Sequence, residues 1–113
     1  QIRDAVFIDD VVDALLAAAA LPQAREPAAF NICSGVPIAV RQIGELVARK
    51  LQAPPALLRW GELPYRPGEP MRAVGDNRRF HHATGWRPRV SLDEGVARTL
   101  AYLAGPAPAR LAG

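Results

Sequence analysis

Val11, Val12, Leu15, Leu16 and Ala19 recur with the spacing of a single helix face, and two short strand-like segments, the apolar run at residues 5–8 and residues 29–32, flank them. Strand, helix and strand within about thirty residues predict a βαβ unit, with parallel strands and a right-handed crossover. Asp9 and Asp10 stand where the first run meets the helix. A carboxylate there suits an N-cap or the positive end of the helix dipole, and no metal partner for the pair is evident in the sequence. Leu21-Pro22 ends the helix, and a polar loop runs to Pro27.

Further along, Val40, Ile43, Leu46, Val47 and Leu51 make a second apolar face, with Pro37 near its start and Pro54-Pro55 stopping it. Gly44 interrupts this helix at a cost of about 1 kcal/mol relative to alanine, which suggests a close approach by another backbone. Asp76 suits the cap of a short helix that Gly85 closes, and Ser91 with Glu94 has the spacing of a capping box before a last helix. That helix carries a stripe of Leu92, Val96, Leu100 and Leu103. The reading is a mixed α/β fold with helices near 10–20, 38–52, 77–84 and 92–104, strands near 5–8 and 29–32, and a weaker strand near 56–60. Trp60, Trp86 and Tyr102 are expected in the core or between packed elements. Residues 105–113 are mostly Gly, Pro and Ala with little to bury, and are expected to be a disordered tail.

The chain has 113 residues, which suits one domain or part of a larger one. It starts at Gln1 rather than methionine, as expected of a fragment, and carries no signal-peptide pattern. Its longest apolar stretch, residues 11–21, is broken by Asp13, so no membrane span is expected. A single cysteine, Cys33, rules out an internal disulfide, and no Cys/His cluster has metal spacing; a reduced, cytoplasmic setting fits. Nothing near Cys33 in sequence lowers its pKa, so it reads as a small core residue. The net charge is +3, and of the 14 basic residues only Lys50 is not arginine. Guanidinium forks suit carboxylate and phosphate, so anionic small molecules and nucleic acid are both admissible on charge. The arginines are scattered rather than striped, aromatics are few and no recognition motif appears, which argues against nucleic acid.

Arg66-Pro67-Gly68-Glu69 is the most informative tetrapeptide. Pro second and Gly third specify a type II turn, whose ends lie within about 7 Å. Arg66 and Glu69 therefore share a loop tip, where a guanidinium can clamp phosphate and a carboxylate can accept from a ribose diol. Spacing alone equally describes a surface turn with a weak ion pair. Arg3, just ahead of the first run, offers a second positive charge for a diphosphate. Asn31 and the Cys33-Ser34-Gly35 turn offer backbone amides to a ligand or to the loop itself. His81 and His82, beside Arg78 and Arg79, read as solvated or partly packed.

Three segments, in order, resemble the carboxy-terminal part of extended short-chain dehydrogenase/reductases acting on nucleotide sugars. Arg3-Asp4-Ala5-Val6-Phe7-Ile8-Asp9-Asp10-Val11-Val12-Asp13-Ala14 is similar to RDFVYVDDVVDA, and Phe30-Asn31-Ile32-Cys33-Ser34-Gly35 to FNIGSG. The third begins at Arg66-Pro67-Gly68-Glu69, similar to RPGD, and continues through Gly85-Trp86-Arg87-Pro88 to Ser91-Leu92-Asp93-Glu94-Gly95, similar to GWxPxxSLEEGL. The resemblance spans residues 1–104 and implies the substrate-binding region of an NAD- or NADP-dependent epimerase or dehydratase. It implies that Arg3 and Arg66 meet the substrate diphosphate and that Glu69 meets the ribose. Glu69 stands where aspartate is usual, Cys33 where glycine is common, and Ile38-Ala39 where a polar pair often starts the helix.

The amino-terminal machinery of that family has no counterpart in this sequence. There is no glycine-rich dinucleotide turn and no Tyr-x-x-x-Lys pair: the only lysine is Lys50, and residue 46 is leucine. No catalytic residue is assigned. The chain by itself is expected neither to bind NAD or NADP tightly nor to turn over a nucleotide sugar. Its expected partners are a nucleotide sugar and a missing Rossmann half. Apolar residues that would face that half favour self-association when it is absent. The alternative is a stand-alone, non-enzymatic module for nucleotides or nucleotide sugars.

Overall fold

The computed structural model describes residues 1–22 and 28–105 of the chain; the expected tail at 105–113 lies, but for Gly105, outside the described residues. The element order is β1 (Ile2–Asp4), α1 (Ile8–Ala19), β2 (Pro37–Ala39), α2 (Val40–Lys50), a single 3-10 turn at Pro55–Leu57, α3 (Arg78–Thr84) and α4 (Leu92–Ala104). The mixed α/β class and all four helices agree with the sequence reading. Their ends follow from local chemistry. Ser91 Oγ accepts from Glu94 N at 3.2 Å, and Gly85 takes φ +76 to close α3, donating its N–H to His81 O at 2.7 Å.

The strands depart from expectation. Residues 5–7 are irregular, residues 29–32 form no strand, and the run near 56–60 holds only the 3-10 turn. The two strands present are antiparallel, with Ile2 opposite Ala39, Arg3 opposite Ile38 and Asp4 opposite Pro37. There is thus no parallel βαβ unit among the described residues. A segment of four residues is too short for its period to separate a strand from core-packing coil. Here Phe30 and Ile32 spend their apolar character against the core rather than in a sheet.

That core is small: Ala14 of α1, Phe80 of α3 and Trp86 beyond it, with Val6, Ala17, Ala18, Phe30 and Ile32 packed around them. Phe80 lies at tilted centroid distances of 5.4 Å from Phe30 and 5.5 Å from Trp86, a favourable aromatic geometry. The acidic pair opening α1 does not cap it; the N-cap is Phe7, without a side-chain bond. Asp10 is buried instead. Its carboxylate accepts from Arg89 N at 2.9 Å and Val90 N at 3.0 Å, and its carbonyl accepts from Trp86 Nε1 at 3.0 Å. Asp9 pairs with Arg98 of α4, whose guanidinium lies 4.5 Å from the centroid of the Phe7 ring. Lys50 ties α2 to Asp93 of α4 at 2.7 Å. Gly44 admits the Trp60 ring rather than a backbone: an alanine Cβ would stand 2.6 Å from Trp60 Cη2. Of the expected core aromatics, Trp86 is buried, Trp60 is part-covered and Tyr102 is exposed, as is Leu103 of the α4 stripe.

Candidate functional site

β1 has one neighbour on each edge. β2 lies along one; residues 71–73 lie along the other, through Ile2 N to Met71 O at 2.8 Å and Ala73 N to Ile2 O at 3.0 Å. Only Pro70 separates the 66–69 turn from those residues, so backbone pairing delivers it to Arg3. Arg3 Nη2 then donates to Glu69 Oε1 at 3.1 Å, and Arg3 Nη1 donates to Ile2 O at 2.9 Å. The turn has the expected form: Glu69 N donates to Arg66 O at 3.1 Å, and Gly68 takes φ +77, which glycine permits without cost. Arg66 is exposed, and no ion pair to it is found among the described residues. Two of the three residues singled out in the sequence thus touch, and the third stands at the other end of the same turn.

Asp4 is the supporting residue that sequence reasoning missed. Successive strand residues face opposite ways, so Asp4 does not answer Arg3. Its carboxylate accepts from Ser34 N at 2.7 Å, Ser34 Oγ at 2.6 Å, Gly35 N at 2.8 Å and Gly75 N at 3.2 Å. The amides of the Ser34-Gly35 turn are therefore spent on the protein itself. Burial opposes ionisation of Asp4, but the Ser34 hydroxyl and the three amides outweigh it and hold the carboxyl below its ordinary value. Nothing local in sequence announces this role, because the donors lie 30, 31 and 71 positions away. Gly75 is required there as well, since a Cβ would fall 2.4 Å from Cys33 Sγ. Burial, with the Asp4 charge adding to it, pushes the Cys33 thiol up, so Cys33 is an inert packing residue.

Asn77 donates to Cys33 O at 2.7 Å, holding the same loop from the other side. Asp76 accepts from Arg78 N and its guanidinium, and the Arg78 bond holds its carboxyl at about 2. His81 bridges Trp86 O at 3.0 Å and Arg87 Nη2 at 2.9 Å; His82 is exposed. An apolar cleft of about 280 Å³ lies between α2 and α4, lined by Phe7, Ile43, Val47, Leu92 and Val96 among others. It has no charged group and nothing to hold a phosphate. No group of three or more potential metal ligands occurs among the described residues, and no helix there is long and apolar enough to cross a membrane.

No protein-family model matches the chain. It is 36% identical over 103 residues to a UDP-glucose 4-epimerase of Mycolicibacterium smegmatis, covering 88% of this chain and 30% of that protein. Among solved structures, it is similar to RMD from Pseudomonas aeruginosa complexed with NADPH, at TM-score 0.70 and 29% identity, over 87% of this chain and 31% of the other. It is similar also to MoeE5 in complex with UDP-glucuronic acid and NAD, at TM-score 0.74 and 29% identity, over 86% and 31%. The chain therefore spans about three tenths of the length of the proteins it matches.

Proposed function

The chain belongs to the extended short-chain dehydrogenase/reductases, matching their carboxy-terminal region, and on that premise we propose that it holds the nucleoside diphosphate of a nucleotide sugar for an NAD- or NADP-dependent epimerase, dehydratase or reductase. Arg3 and Arg66 bind the diphosphate, and Glu69 accepts from the ribose. The observation that carries this reading is the meeting of Arg3 with Glu69 across 66 positions of sequence at the tip that also bears Arg66. A surface turn with a merely local ion pair has no reason to recruit a strand arginine. The solved relative that holds UDP-glucuronic acid supports the ligand class.

The dinucleotide does not fit this chain's own residues. The link from β1 to α1 is Ala5-Val6-Phe7, without the glycines that let a backbone approach a pyrophosphate, and Lys50 is engaged with Asp93. Bound elsewhere in the enzyme, the nicotinamide supplies hydride transfer; this chain supplies grip on the substrate. A reducing cytoplasmic setting, a Rossmann half as covalent partner, and self-association in its absence belong to the same reading. The test is the reading frame that encodes the chain: a glycine-rich strand–helix turn and a Tyr-x-x-x-Lys pair are expected upstream. A frame that encodes neither favours the stand-alone binding module.

A further inference from the structure

We propose that Glu69 is a positioning residue for Arg3, orienting its guanidinium toward the diphosphate, rather than only a ligand of the ribose; this rests on the reading above. Arg3 carries five N–H donors. One is held by Ile2 O at 2.9 Å and one by Glu69 Oε1 at 3.1 Å, so the plane of the guanidinium is fixed by two acceptors while the other three donors meet no acceptor among the described residues. A planar fork so held meets a phosphate without first losing its rotamer freedom. The pair's side chains are 27% and 30% exposed, sheltered enough to be ordered and open enough to be reached. The contact uses one oxygen of Glu69 and one terminal nitrogen of Arg3, so it is single rather than bidentate and does not close the fork. Aspartate, one methylene shorter at this position, has less reach for the same contact.

The experiment uses the full chain, labelled with 15N, with inorganic pyrophosphate and uridine as probes. Without ligand, Glu69→Ala is expected to increase the motion of the Arg3 Nε–Hε group in relaxation measurements, and Glu69→Gln to restore part of its order. Pyrophosphate affinity is expected to fall about two- to fivefold in Glu69→Ala, the scale of an exposed ion pair. The fall should vanish in an Arg3→Ala background, whereas any loss of uridine affinity in Glu69→Ala, which reports the ribose contact, should persist there. Tighter pyrophosphate binding by Glu69→Ala would make Glu69 a competitor for Arg3 and overturn the proposal, as would a loss undiminished in the Arg3→Ala background. An Arg3 signal indifferent to Glu69, with pyrophosphate binding intact, overturns the positioning role alone. A wild-type chain that does not bind pyrophosphate overturns the diphosphate reading and the positioning role with it.

Discussion

Arg3 and Asp4 are neighbours on β1 with separate tasks: one reaches the 66–69 turn, the other gathers the loops at Ser34 and Gly75. Asp4→Asn removes an ionised acceptor of four hydrogen bonds, and the fold should lose on the order of 1–3 kcal/mol at neutral pH. Because the folded-state pKa lies below the ordinary 3.8, this stability is complete above that value and is lost as pH falls through the folded pKa. Denaturant titrations of both proteins should show a gap at pH 7 that closes in strong acid; a pH-independent gap contradicts this account. Arg66 has a different character. Arg66→Ala in the complete enzyme should weaken nucleoside diphosphate binding by roughly ten- to hundredfold, the loss of a charge-assisted contact of about 1.5–3 kcal/mol. Arg66→Lys should recover part of it, keeping the charge and losing the fork. Calorimetric titration measures this, and circular dichroism should show the fold intact.

At the scale of elements, the helices were legible because caps and periodicity are local: Ser91 and Gly85 end their helices as their types dictate. The sheet was not legible. β1 and β2 have three residues each, too few to show a period of two, and pairing between residues 33 or more apart leaves no mark on either segment alone. The 66–69 turn was legible from its Pro-Gly pair, whereas its docking on Arg3 depends on the backbone bonds at Ile2 and Ala73. The acidic pair stands in the first turn of α1, as the helix dipole favours, but does not cap it, and its side-chain partners were not legible because they lie about eighty to ninety residues onward, at Arg89, Val90 and Arg98. These contacts predict unequal effects. Asp10→Ala strands two part-buried amides and should cost on the order of 2–4 kcal/mol. Asp9→Ala loses a more exposed ion pair and should cost less than about 1 kcal/mol. Thermal unfolding of the two variants gives the comparison, and equal losses would contradict the assigned roles.

For the molecule as a whole, the buried core is small and much apolar surface is left open. Ile8, Val12, Leu15 and Leu16 of α1 are 47–65% exposed, on the helix whose other side carries Ala14 into the core. An apolar patch of this kind finds a partner. The purified chain should therefore self-associate in sedimentation experiments, and Leu15→Glu with Leu16→Glu should shift it toward monomer; a clean monomer at high concentration argues that α1 needs no cover. The chain alone should show no epimerase, dehydratase or reductase turnover with added NAD or NADP, since the residues for hydride and proton transfer are not among its own. What it should do is recognise a nucleoside diphosphate. The direct measurement is a heteronuclear NMR titration of the chain with UDP, GDP and dTDP, and with the same nucleosides lacking phosphate. The account predicts diphosphate-dependent shifts centred on Arg3, Arg66 and Glu69. Shifts that ignore the phosphates, or that map away from the 66–69 turn, would contradict it.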